Sequence, residues 1–244
     1  MQILGIDIGG SGIKGALVDC EQGIFLGDRF RLDTPAGAEP EAVAAVVSEI
    51  VKYFDWQGPI GCTFPAIIKN GVAHSAANVS DQWIGTNVAE LIASSTANQV
   101  KVINDADAAG IAEMRFGNGQ DRKGVTILLT IGTGIGSAMF IDQYLLPNSE
   151  LGHLEIRGKD AEKRASDQTR KRKDLSWQDW GARLNEYLSH VEFLFSPDLM
   201  ILGGGVSKKF SLYSPYLSLQ TEIIPAKLLN DAGIIGAALV ASTL

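Results

Sequence analysis

Asn104 and Asp105 stand where a β-branched run, Val100-Lys101-Val102-Ile103, gives way to an alanine-rich helical pattern beginning Ala106-Asp107-Ala108-Ala109. The pattern predicts a strand running straight into a helix, with a carboxylate at the strand's carboxyl end. In α/β proteins that end opens into the ligand crevice. A carboxylate held at a helix start can take the proton of a substrate hydroxyl, which makes Asp105 the candidate general base. An isolated Asn-Asp pair more often does no more than cap its helix. What argues for chemistry here is the set of motifs around it.

Two glycine turns could bind phosphate. Ile3 to Val18 reads as a β-hairpin turning at Gly9-Gly10-Ser11-Gly12, with Asp7 before the turn and Lys14 after it. Glycines let backbone N–H groups converge on an oxyanion. A carboxylate suited to Mg2+ and an ammonium suited to phosphate oxygens lie on either side. Hairpins need glycine in any case, and the spacing matches neither the P-loop nor the dinucleotide fingerprint. Val125 to Asp142 repeats the plan: Ile8 to Asp19 and Ile131 to Asp142 each span 12 residues, the second with Gly132-Thr133-Gly134 at its turn. A third glycine run, Gly203-Gly204-Gly205, leads through Val206-Ser207 to Lys208-Lys209 and is expected to open a helix whose N-terminus faces an anion.

Polar groups for hydroxyls follow. Asn78 can donate and accept, although alone it is as readily a turn former. Glu150-Leu151-Gly152-His153-Leu154-Glu155 brings two carboxylates and an imidazole within six residues. A solvated acidic loop is the plainer reading. A zinc site is not expected, because His153 has no neighbouring Cys or second His.

The elements that must position these groups are those of an α/β chain. Ile24 to Leu32 reads as a third strand, Pro40 to Tyr53 as an amphipathic helix, and Pro59 to Phe64 as a buried strand broken by Pro65. Lys69-Asn70-Gly71 turns a short hairpin that carries His74 on its surface, and a helix runs from about Asn87 to Ser94. Ser176 caps a helix reaching Phe195, whose Trp177, Trp180, Leu184, Tyr187, Leu188 and Val191 fall on one stripe. Leu199 to Leu202 is a buried strand, Pro225 ends another, and the last helix runs from Ala232 to about Ser242.

At 244 residues with 45% apolar content, the chain suffices for two ordinary cores. Cys20 and Cys62 form no metal or disulfide spacing, which suits a reducing, cytoplasmic setting. No leader precedes the first strand, and the uncharged run from Gly124 to Ile141 is broken by glycines, so no membrane partner is expected. The net charge of −7 hides an asymmetry: Arg157 to Lys173 holds eight basic and three acidic residues, a local +5 that leaves −12 elsewhere. Such a run is usually a solvated helix face, yet it can hold a polyanion.

Taken in order, Asp7-Ile8-Gly9-Gly10-Ser11-Gly12-Ile13-Lys14, Asn104-Asp105, Gly132-Thr133-Gly134 and Glu150-Leu151-Gly152-His153 resemble the ROK family, in the sugar-kinase branch of the actin-like ATPase superfamily. The resemblance covers nearly the full length. Asn104 to Gly110, Glu113-Met114-Arg115-Phe116-Gly117 and Gly203 to Lys209 resemble those members that use inorganic polyphosphate.

The resemblance implies two ribonuclease H-like domains around a cleft, 1–104 with 230–244 and 105–229. It implies that Asp105 deprotonates the 6-hydroxyl of glucose while Asn78, Asn104, Glu150, His153 and Glu155 bind sugar hydroxyls. Asp7 would hold Mg2+ through water. Gly9, Gly10, Ser11, Gly12, Lys14, Gly132, Thr133, Gly134, Gly204 and Lys208 would hold the donor, polyphosphate or ATP, with the Arg157–Lys173 run, Lys14, Lys208 and Lys209 as its basic track. Most members carry a cysteine-rich zinc motif after the Gly-His, and it is missing here, so no zinc is expected. A homodimer is expected by likeness to relatives. Nucleic acid is not expected, since the helix-turn-helix of ROK repressors is not seen ahead of the first strand. Rival readings are a strictly ATP-dependent hexokinase and a non-catalytic sugar sensor on the same fold.

Overall fold

Each half of the chain begins its sheet with an antiparallel hairpin and adds parallel strands to one side of it. The computed structural model describes residues 1–76 and 79–244, so Asn78 lies outside the described residues. Two compact units result, residues 1–112 with 231–244 and residues 113–230.

In the first unit, β1 (Gln2–Ile8) and β2 (Ile13–Asp19) pair in antiparallel register, Asp7 opposite Lys14. The single strand expected over 24–32 is two short ones, β3 (Ile24–Phe25) and β4 (Phe30–Leu32), both on β2. Gly27 separates them at φ +117°, a backbone angle that ends a strand. Helix α1 (Pro40–Tyr53) buries Val43, Ala44, Val47, Ile50 and Val51. β5 (Ile60–Phe64) then joins β1 in parallel, and β6 (Ile68–Lys69) and β7 (Val72–Ala73) form the Asn-Gly hairpin. Asn87 caps α2 (Val88–Thr96), and β8 (Val100–Asn104) runs parallel to β5 and into α3 (Asp105–Phe116). The sheet order is β3-β2-β1-β5-β8.

The other face of this sheet is covered by the last helix, Ala232–Ala241, which packs on β1, β5 and β8. Glycine makes the approach possible. A Cβ on Gly5 or Gly61 would run into the helix backbone at Ile234 and Ala237, and one on Gly236 into the Ala108 carbonyl of α3. The boundary expected at 104/105 therefore differs from the observed one at 112/113, because the first turns of α3 pack with the last helix.

In the second unit, β9 (Val125–Ile131) and β10 (Ile135–Ile141) form the hairpin, β11 (Tyr144–Leu146) extends it, and with β14 (Leu199–Gly203) and β15 (Glu222–Pro225) the order is β11-β10-β9-β14-β15. The hairpin β12 (Glu155–Ile156) and β13 (Lys159–Asp160) leads into short helices α4 (Glu162–Ala165) and α5 (Asp167–Arg172). Helix α6 (Trp177–Phe195) starts at Ser176, whose hydroxyl accepts the Asp179 N–H at 3.0 Å. It buries Trp180, Leu184, Tyr187, Leu188 and Val191 against the sheet. Each of the leucine and valine side chains contributes on the order of 1.5–3 kcal/mol. β14 (Leu199–Gly203) and β15 (Glu222–Pro225) complete the parallel half. The helix expected after Gly203-Gly204-Gly205 is only a 3-10 turn over Ser207–Lys209 and four helical residues, Phe210–Tyr213. No helix among the described residues is long and apolar enough to cross a membrane. The uncharged run over Gly124 to Ile141 is the β9–β10 hairpin.

Candidate active site

The first unit gathers Asp7, Lys14, Thr63 and Asp105 at the carboxyl edge of one sheet. Cross-strand register sets Asp7 opposite Lys14, and the ammonium meets Asp7 Oδ2 at 3.2 Å. Thr63, the parallel partner of Asp7 on β5, donates from Oγ1 to Oδ1 at 2.8 Å and accepts the Ile8 N–H at 3.2 Å. Both carboxylate oxygens of Asp7 thus have a partner, and it is a lone carboxylate beside a lysine. Such a donor set fits a divalent ion held through its water shell, with a phosphate completing it, better than a bare ion.

Two strands away, about 10 Å at normal strand spacing, β8 delivers Asn104 and Asp105. Asn104 is buried, accepts the N–H groups of Ala106 and Asp107 at 2.8 and 3.1 Å, and donates to the Ala66 carbonyl at 3.1 Å. Asn104 is therefore the cap. Asp105 is exposed, with Oδ1 also accepting the Ala106 N–H at 2.9 Å. A carboxylate in this position can receive the proton of a hydroxyl brought to it.

The turn over Gly9–Gly12 closes with the Gly9 N–H on the Gly12 carbonyl at 3.1 Å. Side chains brace it from outside: Thr34 Oγ1 donates to the Gly9 carbonyl at 2.5 Å and Arg31 Nη2 to the Ser11 carbonyl at 2.9 Å.

In the second unit, Gly132-Thr133-Gly134 joins β9 to β10, and Gly204 follows directly on β14, the parallel neighbour of β9. Gly204, at φ +75°, abuts the Ile131 backbone. This second turn differs from the first in what supports it. The Gly132 carbonyl accepts the Gln168 N–H at 3.1 Å, and Glu162 lies against Gly134, accepting the Ile135 N–H at 3.3 Å. A carboxylate backs the second turn where a guanidinium backs the first.

Glu150 and His153 are fixed to β10. The Ser137 hydroxyl bonds the Ser149 carbonyl at 2.7 Å and accepts the Leu151 N–H at 2.9 Å, and a Cβ on Gly152 would strike the Ile135 carbonyl. The His153 imidazole sits between Glu150, 3.8 Å away, and Asp160, 3.6 Å away, and Glu155 faces Asp160 in the β12–β13 register. Burial pushes the Glu150 carboxyl above the usual carboxylate range, opposed by His153 and reinforced by Glu162. His153, Asp160 and Glu162 each bring a ligand atom within 4.8 Å of the others. No thiolate is among them, and Lys163 already bonds Asp160 at 2.7 Å. Glu150 and Asp160 flank the imidazole on two sides, each beyond hydrogen-bond distance.

The basic run is mostly paired within itself. Glu186 takes Arg157 at 2.5 Å and Arg164 at 2.8 Å; the Arg157 bond leads in holding its carboxyl below the usual range, against burial. Asp167 takes Arg170 and Lys171 at 2.8 and 2.7 Å. Among the described residues Lys159, Arg172 and Lys173 have no ion pair, and they line one concavity of about 750 Å3 with Gly158, Asp160, Lys163 and Arg164. Trp177 joins this region to the third glycine run, with Arg170 4.0 Å and Lys209 5.9 Å from its ring centre; Lys208 is exposed beside it.

Thr63, Arg31, Thr34, Asp160 and Glu162 were not legible as site residues. None belongs to a motif, and each reaches its place through a strand or turn remote in sequence. The alternation of Arg31 with Phe30 and Leu32 is the one faint sign, since it puts a cation on the face that β2 shares.

Two ribonuclease H-like sheets, each ending in a glycine turn with polar groups at its carboxyl edge, define a protein of the actin-like ATPase fold. The ROK family model matches residues 3–165, and the chain belongs to that family. It is 47% identical over 236 residues to a polyphosphate glucokinase of Mycobacterium tuberculosis, covering 96% of this chain and 89% of that protein. The crystal structure of an inorganic polyphosphate/ATP-glucomannokinase from Arthrobacter sp. strain KM superposes with a TM-score of 0.95 at 51% identity, covering 99% and 98% of the two chains. A ROK family glucokinase from Streptomyces griseus shares the fold at 21% identity and a TM-score of 0.85.

Proposed function

We propose that the protein is a sugar kinase that transfers a phosphoryl group from inorganic polyphosphate to the 6-hydroxyl of glucose, giving glucose 6-phosphate. The observation that carries this reading is the near full-length likeness to a polyphosphate glucokinase. The intact Asp7, Lys14 and Asp105 at one sheet edge support it, since a pure sugar sensor needs none of them together. ATP as a second donor and mannose as a second acceptor are favoured by the 51% identity to a polyphosphate/ATP-glucomannokinase.

In phosphoryl transfer, positioning and charge stabilisation carry most of the rate enhancement. Asp105 accepts the hydroxyl proton, and Asn104, Glu150, His153 and Glu155 take the remaining hydroxyls. Lys14 and the Gly9–Gly12 turn hold phosphate oxygens. Mg2+ bound with the donor would spread the charge of the transferring group, with Asp7 holding its water. The unpaired Lys159, Arg172 and Lys173 form the track for the rest of the polyanion, with Lys208 and Lys209 beyond Trp177. Lys171 does not belong to it, because Asp167 holds its charge.

The deciding assay gives purified protein glucose, Mg2+ and either polyphosphate or ATP, and measures glucose 6-phosphate. Product from polyphosphate supports the proposal, product from ATP alone makes the protein an ordinary hexokinase, and no product from either favours the sensor.

A further inference from the structure

We propose that Arg31 and Thr34 are positioning residues of the donor turn: they hold two of its carbonyls to one side and so aim the N–H groups of Gly10 and Gly12 at a phosphate. The inference rests on the phosphoryl-transfer reading above and concerns how the turn is kept ready.

The Thr34 hydroxyl donates to the Gly9 carbonyl, and Arg31 Nη2 donates to the Ser11 carbonyl. A trans peptide is planar, with its N–H opposed to its C=O. Fixing the Gly9 carbonyl toward Thr34 therefore turns the Gly10 N–H away from it. Fixing the Ser11 carbonyl toward Arg31 does the same for the Gly12 N–H. The Gly12 carbonyl is used inside the turn by the Gly9 N–H. Among the described residues no protein acceptor takes the N–H of Gly10 or Gly12. Carbonyls drawn back and amides turned forward make an anion-binding concavity.

Arg31 contributes in two further ways. Its guanidinium lies against Gly12, where a Cβ would stand 2.7 Å from Nε and Nη2, so a side chain at that position would push the guanidinium aside. It is also the cross-strand partner of Lys14, which puts two cations on one face beside the turn. Asp33 holds the other arm of the fork through Nη1 at 2.8 Å and so fixes the plane of the guanidinium. A lysine at this position would keep the charge and lose the fork.

The test titrates inorganic tripolyphosphate calorimetrically into the full chain and into Thr34→Val, Thr34→Ser, Arg31→Met and Arg31→Lys, with donor KM, glucose KM and Tm measured alongside. Thr34→Val and Arg31→Met are expected to weaken tripolyphosphate binding on the order of tenfold, the equivalent of one hydrogen bond to a charged group. Donor KM should rise to match while glucose KM and Tm hold. Thr34→Ser restores binding, and Arg31→Lys restores only part. Unchanged tripolyphosphate affinity in Thr34→Val and Arg31→Met overturns the proposal. So does an equal loss of glucose affinity and Tm, which marks a merely structural role, or a native protein that does not bind tripolyphosphate. Binding with the expected variant pattern but no glucose 6-phosphate from any donor supports this inference and removes the kinase reading instead.

Discussion

Asp105→Asn removes the proposed proton acceptor and leaves the helix start alone, because Asn104 holds the N–H groups of both Ala106 and Asp107. We expect kcat to fall by roughly 10²–10⁴-fold with Tm unchanged in a thermal melt. Normal turnover would remove Asp105 from its role. Glu150 permits a test with a pH sign. Its carboxyl is raised above the usual range by burial, so its contribution to stability is fully present below the unfolded value and is lost as pH rises through the folded one. Glu150→Gln should therefore melt like the native protein near pH 4 and at higher temperature near pH 8, while glucose KM rises. Equal melting at both values would refute the raised carboxyl. The residues the sequence exposed, Asp7, Lys14 and Asp105, sit beside glycine turns or strand ends that mark themselves. Thr63 and Glu162 carry no such mark, since register alone brings one to Asp7 and a hairpin with a short helix brings the other to Gly134.

Elements bounded by strong turn chemistry were legible: the two glycine hairpins, the Asn70-Gly71 turn and the helix capped by Ser176. Those that depend on a single backbone angle or on tertiary packing were not. Gly27 splits one expected strand into β3 and β4, and Gly203–Gly205 opens a tight turn because Gly204 must clear Ile131. The turn holding Glu150 and His153 depends on a comparable close approach at Gly152. Gly152→Ala forces that turn off β10, at a cost of roughly 1–3 kcal/mol, and should raise glucose KM more than donor KM in steady-state assays. An unchanged glucose KM would show that the seating of this turn does not matter to the sugar.

At the scale of the molecule, the charge map assigns the basic run two roles. Five of its eight cations are paired: Arg157 and Arg164 tie the β12–β13 hairpin and α4 to Glu186 of α6, Lys163 bonds Asp160, and Arg170 and Lys171 pair with Asp167 inside α5; among the described residues the other three have no ion pair. Neutralising Lys159, Arg172 and Lys173 together to Gln should raise polyphosphate KM and flatten its log–log salt slope by about 2, with little effect on ATP. An unaltered slope would place the polyanion elsewhere. Residues 231–244 belong to the first unit although they are made after the whole of the second. On the ribosome, β1, β5 and β8 must wait for that segment with one apolar face bare, while residues 113–230 have all they need to fold. The nascent chain should thus gain protease resistance over residues 113–230 first, and a chaperone that binds exposed apolar strands should hold the amino-terminal sheet until residues 231–244 emerge.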